Sequence, residues 1–165
     1  MTQEQSDIMC LEICKVIAKQ SKAVRAKVGA LIVKDNNILS MGFNGTPAGM
    51  DNCCEQYVPD KPMCRFCIHL HTDACDTCES ASMVTKPEVL HAESNAFMKL
   101  VRRGGVSSTG ATMYITDSPC IDCAKMILQA GIVRVVYLRT YRDTRGIDLL
   151  KHNGIVIDKY DEAEL

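Results

Sequence analysis

Apolar and polar positions alternate along this chain with two clear periods. Between residues 3 and 20, Met9, Cys10, Ile13, Cys14, Val16 and Ile17 recur at helical spacing and predict an α-helix. Cys10 and Cys14 lie one turn apart on that stripe and read as buried core thiols rather than metal ligands. Val28–Val33 is a continuous apolar run that predicts a buried strand. Asp35-Asn36-Asn37 then form a turn, and Ile38–Phe43 the hairpin partner. From His91 the period is helical again, with Ala92, Ala96, Phe97, Leu100 and Val101 on one face. Arg102-Arg103 and Gly104-Gly105 stop that helix. Ala111–Thr116 predicts a strand, Cys120–Ala130 a helix opened by Ser118-Pro119 and closed by Gly131, and Val133–Leu138 a strand. Ile147–His152 and Ile155–Tyr160 predict a short helix and a last strand. The order α-β-β-α-β-α-β-α-β implies an α/β fold of three layers, α-β-α, around a five-stranded mixed sheet.

Residues 44–88 break the pattern. They contain Gly45, Pro47, Gly49, Pro59, Pro62 and Pro87, six of the ten cysteines, and no clear periodicity. With 165 residues, 47% of them hydrophobic, the chain suits one domain over 1–165, carrying a Cys-rich insertion at about 50–88. A structureless stretch of that length is unusual inside a domain, and metal ligation would supply the folding energy that a missing core cannot. The net charge of −1 gives no basic footprint for nucleic acid. No apolar run approaches the roughly 20 residues of a membrane span. The stretch MTQEQSDIMC lacks the character of a secretory signal, so the cysteines point to a reducing cytoplasm and to metal binding rather than to a disulfide scaffold.

The chemistry concentrates in His91-Ala92-Glu93 and Pro119-Cys120-Ile121-Asp122-Cys123. One imidazole and two thiolates spaced C-x-x-C are three ligands for a catalytic zinc, with the fourth tetrahedral position left for water. Zinc would bring the pKa of that water toward neutrality, and Glu93 would move protons. H-x-E followed by P-C-x-x-C is the signature of zinc nucleobase deaminases. His91 and Cys120 both fall at predicted helix N-termini, where the dipole favours thiolate. Cys120 and Cys123 share a helix face. A thioredoxin-type redox pair is the competing reading of the two cysteines, and it leaves His91 and Glu93 without a role.

On these residues the chain resembles the cytidine deaminase superfamily, and within it the deoxycytidylate deaminase group, phage members especially. The resemblance rests on Lys27-Val28-Gly29-Ala30, Gly42-Phe43-Asn44-Gly45-Thr46-Pro47, His91-Ala92-Glu93-Ser94-Asn95-Ala96 and Ser118-Pro119-Cys120-Ile121-Asp122-Cys123-Ala124-Lys125. It implies a cytidine deaminase-like fold and hydrolysis of dCMP to dUMP and ammonia. It also implies a catalytic zinc on His91, Cys120 and Cys123, with Glu93 as proton carrier. Asn44, Ala92, Ser118 and Tyr141 would line the nucleotide pocket. Arg25 and Lys27 are candidates for the 5′-phosphate, with a solvated basic face as the alternative. The resemblance further implies a homo-oligomer, a hexamer, activated by dCTP with Mg(2+) and inhibited by dTTP. Gly42, Phe43, Asn44 and Gly45 would then contribute to an effector site, against the simpler reading of the two glycines as a tight turn.

Cys64-x2-Cys67 and Cys75-x2-Cys78 are two further knuckles, with His69 and His71 between them. Cys64, Cys67, Cys75 and Cys78 form one candidate set for a second, structural zinc. A mixed set with Cys54, His69 or His71, and cysteines that are free or in disulfides, are the alternatives. Phage members of the group use a cysteine shortly before K-V-G-A, where this chain has Ala23, and residues just before H-A-E, where it has neither cysteine nor histidine. Two other functions compete with the leading one: a deaminase of free nucleosides or tRNA bases, and a zinc-bearing binding module with an inactive site. The presence of Glu93 argues against the module, and the charge against a tRNA substrate.

Overall fold

The computed structural model describes residues 2–59 and 81–164. Helix α1, Gln3–Ala18, opens with a capping box. Thr2 Oγ1 accepts from the Gln5 N–H at 3.2 Å, and Gln5 Oε1 accepts from the Thr2 N–H at 2.9 Å. Strands β1, Gly29–Lys34, and β2, Asn37–Phe43, form an antiparallel hairpin. Its two-residue loop, Asp35-Asn36, has φ of 50° and 58°. That left-handed pair is what a tight hairpin with right-handed strand twist requires, and Asp and Asn tolerate it.

Strands β3, Glu55–Pro59, and β4, Ala81–Thr85, follow as a separate antiparallel pair. Then come α2, Ala92–Arg102; β5, Thr112–Asp117; α3, Ile121–Gln129; β6, Arg134–Arg139; α4, Arg145–His152; β7, Val156–Lys159; and a 3₁₀ turn at Glu162–Glu164. The main sheet runs β2-β1-β5-β6-β7. Its first two pairings are antiparallel and its last two parallel, so it is a five-stranded mixed sheet.

Side-chain alternation sorts the two faces. Leu31, Val33, Tyr114, Val136 and Leu138 pack against Cys10, Leu11, Cys14 and Ile17 of α1. The intervening Ala30, Ile32, Met113, Ile115 and Val135 pack against α2, α3 and α4 through Ala96, Phe97, Leu100, Ala124, Ile127 and Leu150. The layers are therefore one helix, the sheet, and three helices. Cys10 and Cys14 are core thiols as expected, and the Cys14 S–H donates to the Tyr114 carbonyl at 3.4 Å. Among the described residues, no helix is long and apolar enough to cross a membrane.

Two expectations change. The 44–88 stretch is not wholly irregular, because β3 and β4 pair within it and are closed by Lys86 N–H donating to the Cys54 carbonyl at 2.9 Å. Tyr57 and Val58 of β3 remain exposed, so this pair buries too little to leave a period-two signature. Helix α4 begins at Arg145 rather than Ile147 and carries Gly146 in its first turn, a residue that by propensity argues against helix.

One polar network ties α1 to the sheet. The Asp7 carboxylate is buried and accepts both terminal nitrogens of Arg134 at 2.8 and 2.7 Å, the Tyr114 hydroxyl at 2.7 Å and the Tyr160 hydroxyl at 2.9 Å. Burial alone would raise its pKa. The Arg134 guanidinium, the two phenols and the Gln3 amide outweigh burial and hold the carboxyl at about 2. A carboxyl depressed from 3.8 stabilises the fold above that value and loses the contribution as pH falls toward 2. The loss should amount to about 2 kcal/mol, read from denaturant unfolding at successive pH values. Asp7→Asn should flatten that slope; an unchanged slope would place the acid sensitivity elsewhere.

Candidate metal centre and cleft

His91 and Cys120 are the N-cap residues of α2 and α3, both with extended backbone, so each side chain leaves its helix at the unsatisfied N–H end. Cys123 follows one turn into α3. His91 Nδ1 lies 3.4 Å from the sulfur of Cys120 and 3.4 Å from that of Cys123, and all three ligand atoms fall within 4.8 Å of one another. A tetrahedral zinc with ordinary Zn–S and Zn–N lengths needs an S···N edge of about 3.5 Å, so the three donors fit that ion. His91 is exposed, Cys120 half-buried and Cys123 buried, which opens the centre on one side only. Among the described residues, this is the grouping of His, Cys, Asp and Glu assembled for a metal.

The electrostatics favour thiolate. A hydrogen bond from Cys123, reinforced by the His91 ring and opposed by burial, brings the Cys120 thiol down to about 4. Cys123 moves the other way because it keeps the shared proton and is buried. Cys120 likewise raises the His91 pKa, against burial. Glu93, in the first turn of α2, is 4% exposed, and burial raises its carboxyl pKa. It lines the same cleft as His91 and Cys120.

Two glycines set the spacing of this centre. A Cβ on Gly42 of β2 would collide with Ala92 O and Ala96 N, so β2 lies directly on the first turn of α2. A Cβ on Gly146 would collide with Pro119 O and the Cys120 carbonyl, so α4 lies against the peptide that carries the first thiolate. Glycine at 146 is the condition for that approach, which explains a helix start that propensity disfavours.

Of the residues expected at the pocket, Asn44, Ala92, Ser118 and Tyr141 line the cleft beside His91 and Glu93. Asn44 also holds the cleft wall: its Oδ1 accepts from Val28 N–H and its Nδ2 donates to the Ala26 carbonyl, both at 2.8 Å. Ser118 Oγ accepts from the Tyr141 N–H at 2.8 Å, linking the end of β5 to the loop after β6. Arg25 and Lys27 do not line the cleft; both are exposed on the loop that does, through Ala23, Ala26 and Val28.

Within Gly42–Gly45, only Asn44 faces the cleft. Gly42 is a strand residue in close packing and not a turn, Gly45 bridges Leu90, and Phe43 lies under Lys99 Nζ at 4.9 Å from its ring centre. Cys54 is buried with Ala23 and Val89 in a small apolar cluster, and Cys53 is exposed. Cys64, Cys67, Cys75, Cys78, His69 and His71 lie outside the described residues.

The cleft also contains Glu55, Thr85 and Asp117, which the sequence reading did not single out. Glu55 and Thr85 belong to the β3–β4 pair, whose pattern was silent. Asp117 sits two residues before Pro119, and that adjacency was the one available signal. It is held by Arg139 through bonds of 3.0 and 2.8 Å.

This arrangement, a thiolate–imidazole metal centre at two helix N-termini with a buried carboxyl beside it, defines an α/β metal-dependent hydrolase. The chain belongs to the family described as the cytidine and deoxycytidylate deaminase zinc-binding region, which matches residues 4–139. It is 36% identical to the deoxycytidylate deaminase of Enterobacteria phage T4, over 89% of this chain and 86% of that protein. It is 34% identical to the mouse deoxycytidylate deaminase, over 87% of this chain and 72% of that one. Its fold matches the crystal structure of the cyanophage S-TIM5 dCMP deaminase in complex with dCMP and dUMP. There the TM-score is 0.75 and the identity 35%, over 97% of this chain and 99% of that one.

Gly146→Ala is expected to displace the Cys120 peptide and weaken zinc binding by about 10-fold, as when a ligand loses its supporting contacts. Chelator competition measures this directly, and an unchanged zinc affinity would separate the α4 packing from the metal centre.

Proposed function

We propose that the protein catalyses the zinc-dependent hydrolytic deamination of dCMP to dUMP and ammonia, with residues 1–165 acting as one deaminase domain. The observation that carries this reading is the clustering of His91, Cys120 and Cys123 at a cleft that His91, Cys120 and buried Glu93 line together. His91, Cys120 and Cys123 would hold the zinc, which when bound would supply Lewis acidity toward water near neutral pH. Glu93 takes a proton from the attacking water, delivers it to N3 of the cytosine ring, and carries the next to the departing amine. Its burial suits that work, because desolvation raises the carboxyl pKa and makes it a stronger acceptor for the proton of the attacking water. Ala92, Asn44, Ser118 and Tyr141 shape the nucleotide site, and Arg25 and Lys27 stand on the loop where a phosphate would meet them.

The same reading includes a homohexamer with dCTP–magnesium as activator and dTTP as inhibitor. Phe43 and Lys99, paired ring to ammonium at 4.9 Å one residue from Asn44, are the aromatic and the cation that an effector nucleotide would engage by replacing that contact. Cys64, Cys67, Cys75 and Cys78 remain the candidate ligands of a structural zinc.

Ultraviolet-monitored deamination tests the core of the proposal, with dCMP and cytidine assayed side by side. Turnover of dCMP is expected; turnover of cytidine alone would replace the substrate. Glu93→Gln should retain zinc and fold while losing at least about 100-fold in kcat. A variant that keeps most of its activity would remove Glu93 from proton transfer. Adding dTTP should suppress dCMP turnover and dCTP–magnesium should raise it. Indifference to both would remove the effector site.

A further inference from the structure

We propose that Glu55 and Thr85 are positioning residues that hold Arg25 at the mouth of the cleft, where its guanidinium receives the phosphate of the substrate. The proposal rests on the deaminase reading above and assigns the element that tells nucleotide from nucleoside. Glu55 and Thr85 are direct partners across the β3–β4 ladder, and both line the cleft. Glu55 Oε1 accepts two backbone N–H groups of the neighbouring loop, Val24 at 2.9 Å and Arg25 at 3.2 Å. Thr85 Oγ1 accepts from Arg25 Nη1 at 3.4 Å. One strand therefore fixes the Arg25 backbone and the opposite strand directs its side chain.

The choice of partners matters. Glu55 spends a carboxylate oxygen on backbone amides, which offsets its charge in a cleft meant for an anion. The guanidinium is held by a neutral hydroxyl that occupies one of its five donors. Among the described residues Arg25 enters no ion pair, so its charge is left for an incoming dianion. The two ends of the loop are fixed independently, the first by Ser21 Oγ donating to the Asn44 carbonyl at 2.7 Å and the second by Asn44 on Ala26 and Val28. A loop tethered at both ends leaves Arg25 little freedom to lose when the phosphate arrives.

Steady-state kinetics of the zinc-loaded full chain, with dCMP and deoxycytidine as paired substrates, test this. Arg25→Gln is expected to lower kcat/KM for dCMP by about 100-fold and leave deoxycytidine unchanged. Glu55→Leu and Thr85→Val, which remove the accepting oxygens, should each raise KM for dCMP about 5-fold with kcat held within about twofold. Thr85→Ser, which keeps the hydroxyl, should restore the wild-type KM. In the Arg25→Gln background neither substitution should cost anything further, because the group they position is gone. Equal losses on dCMP and deoxycytidine, or effects that add to Arg25→Gln, would overturn the proposal and leave the pair as a structural wall. Wild-type turnover of dCMP with an indifferent Arg25→Gln sinks this proposal alone. Absence of dCMP turnover in the wild type sinks the deaminase reading, and this proposal with it.

Discussion

Everything at the cleft depends on two helices beginning at the same place. The N-caps of α2 and α3 set an imidazole nitrogen 3.4 Å from each of two sulfurs, a separation that neither helix could produce alone. Both helix ends carry partial positive charge, and bringing them together is unfavourable until anionic groups occupy the gap. A thiolate at Cys120 does so, and the hydrogen bond from Cys123 holds its pKa down against burial. A divalent cation bound there would displace the proton that Cys123 keeps. The close packing at Gly42 and Gly146 transmits the sheet and α4 to these two ends, so the metal centre inherits the rigidity of the core.

Chemistry and recognition come from different parts of the fold. The metal ligands and Glu93 stand on helices packed against the sheet, where buried apolar contacts fix their positions. The residues around them come from connections: the loop of Ala23 to Val28, the β3–β4 pair, the residues after β5 and the loop after β6. This is the open crevice at the carboxyl ends of parallel strands, here β5 and β6, whose last residues, Asp117 and Arg139, are joined beside the cleft. The buried Asp7 network forms around Arg134, the first residue of β6, and so toward the opposite end of the sheet. Its contribution is to clamp α1 onto the sheet through Arg134 and Tyr114, and to fasten Tyr160 to the same carboxylate.

The parts of the molecule legible in the sequence are those with a period or a fixed spacing. The helix α1, the apolar runs of β1, β5 and β6, and the helix stops at Gly104 and Gly131 follow from burial and backbone preference and appear in the structure, although Met9 and Val16 of the expected α1 stripe are exposed and Leu11 is buried in their place. The H-A-E and P-C-x-x-C pair was legible because a tetrahedral ion constrains both residue type and position. What escaped was determined by long-range contact. β3 and β4 hold together by backbone bonds, with Tyr57 and Val58 exposed and Met83 and Val84 only half-buried, so no alternation marks them, and Glu55 and Thr85 stayed hidden with them. Helix α4 was expected to begin at Ile147, whereas Gly146 lies inside it and is required by the carbonyls of Pro119 and Cys120. Gly42 likewise resembled a turn residue and is in fact the contact surface between β2 and α2.

The Gly42–Gly45 segment shows why one short motif can serve two purposes. Its residues point in different directions and are all fastened. Gly42 rests on α2, the Phe43 carbonyl accepts from Asn95 Nδ2 at 2.8 Å, Asn44 braces the cleft wall, and Gly45 pairs with Leu90 beside His91. If an effector nucleotide engages Phe43 and Lys99 as proposed, it touches a strand end whose next residue forms the cleft wall and whose other contacts reach the first turn of α2. A shift there cannot be absorbed locally, because Asn95 and Ala96 lie within one turn of Glu93 on the same helix. Such an effector needs only to bind one setting of this strand end more tightly than another for the difference to appear at the cleft. The physical requirement for coupling is therefore a change in how β2 sits on α2, and the backbone of Ala92 and Ala96 pressed against Gly42 is the contact through which it would pass.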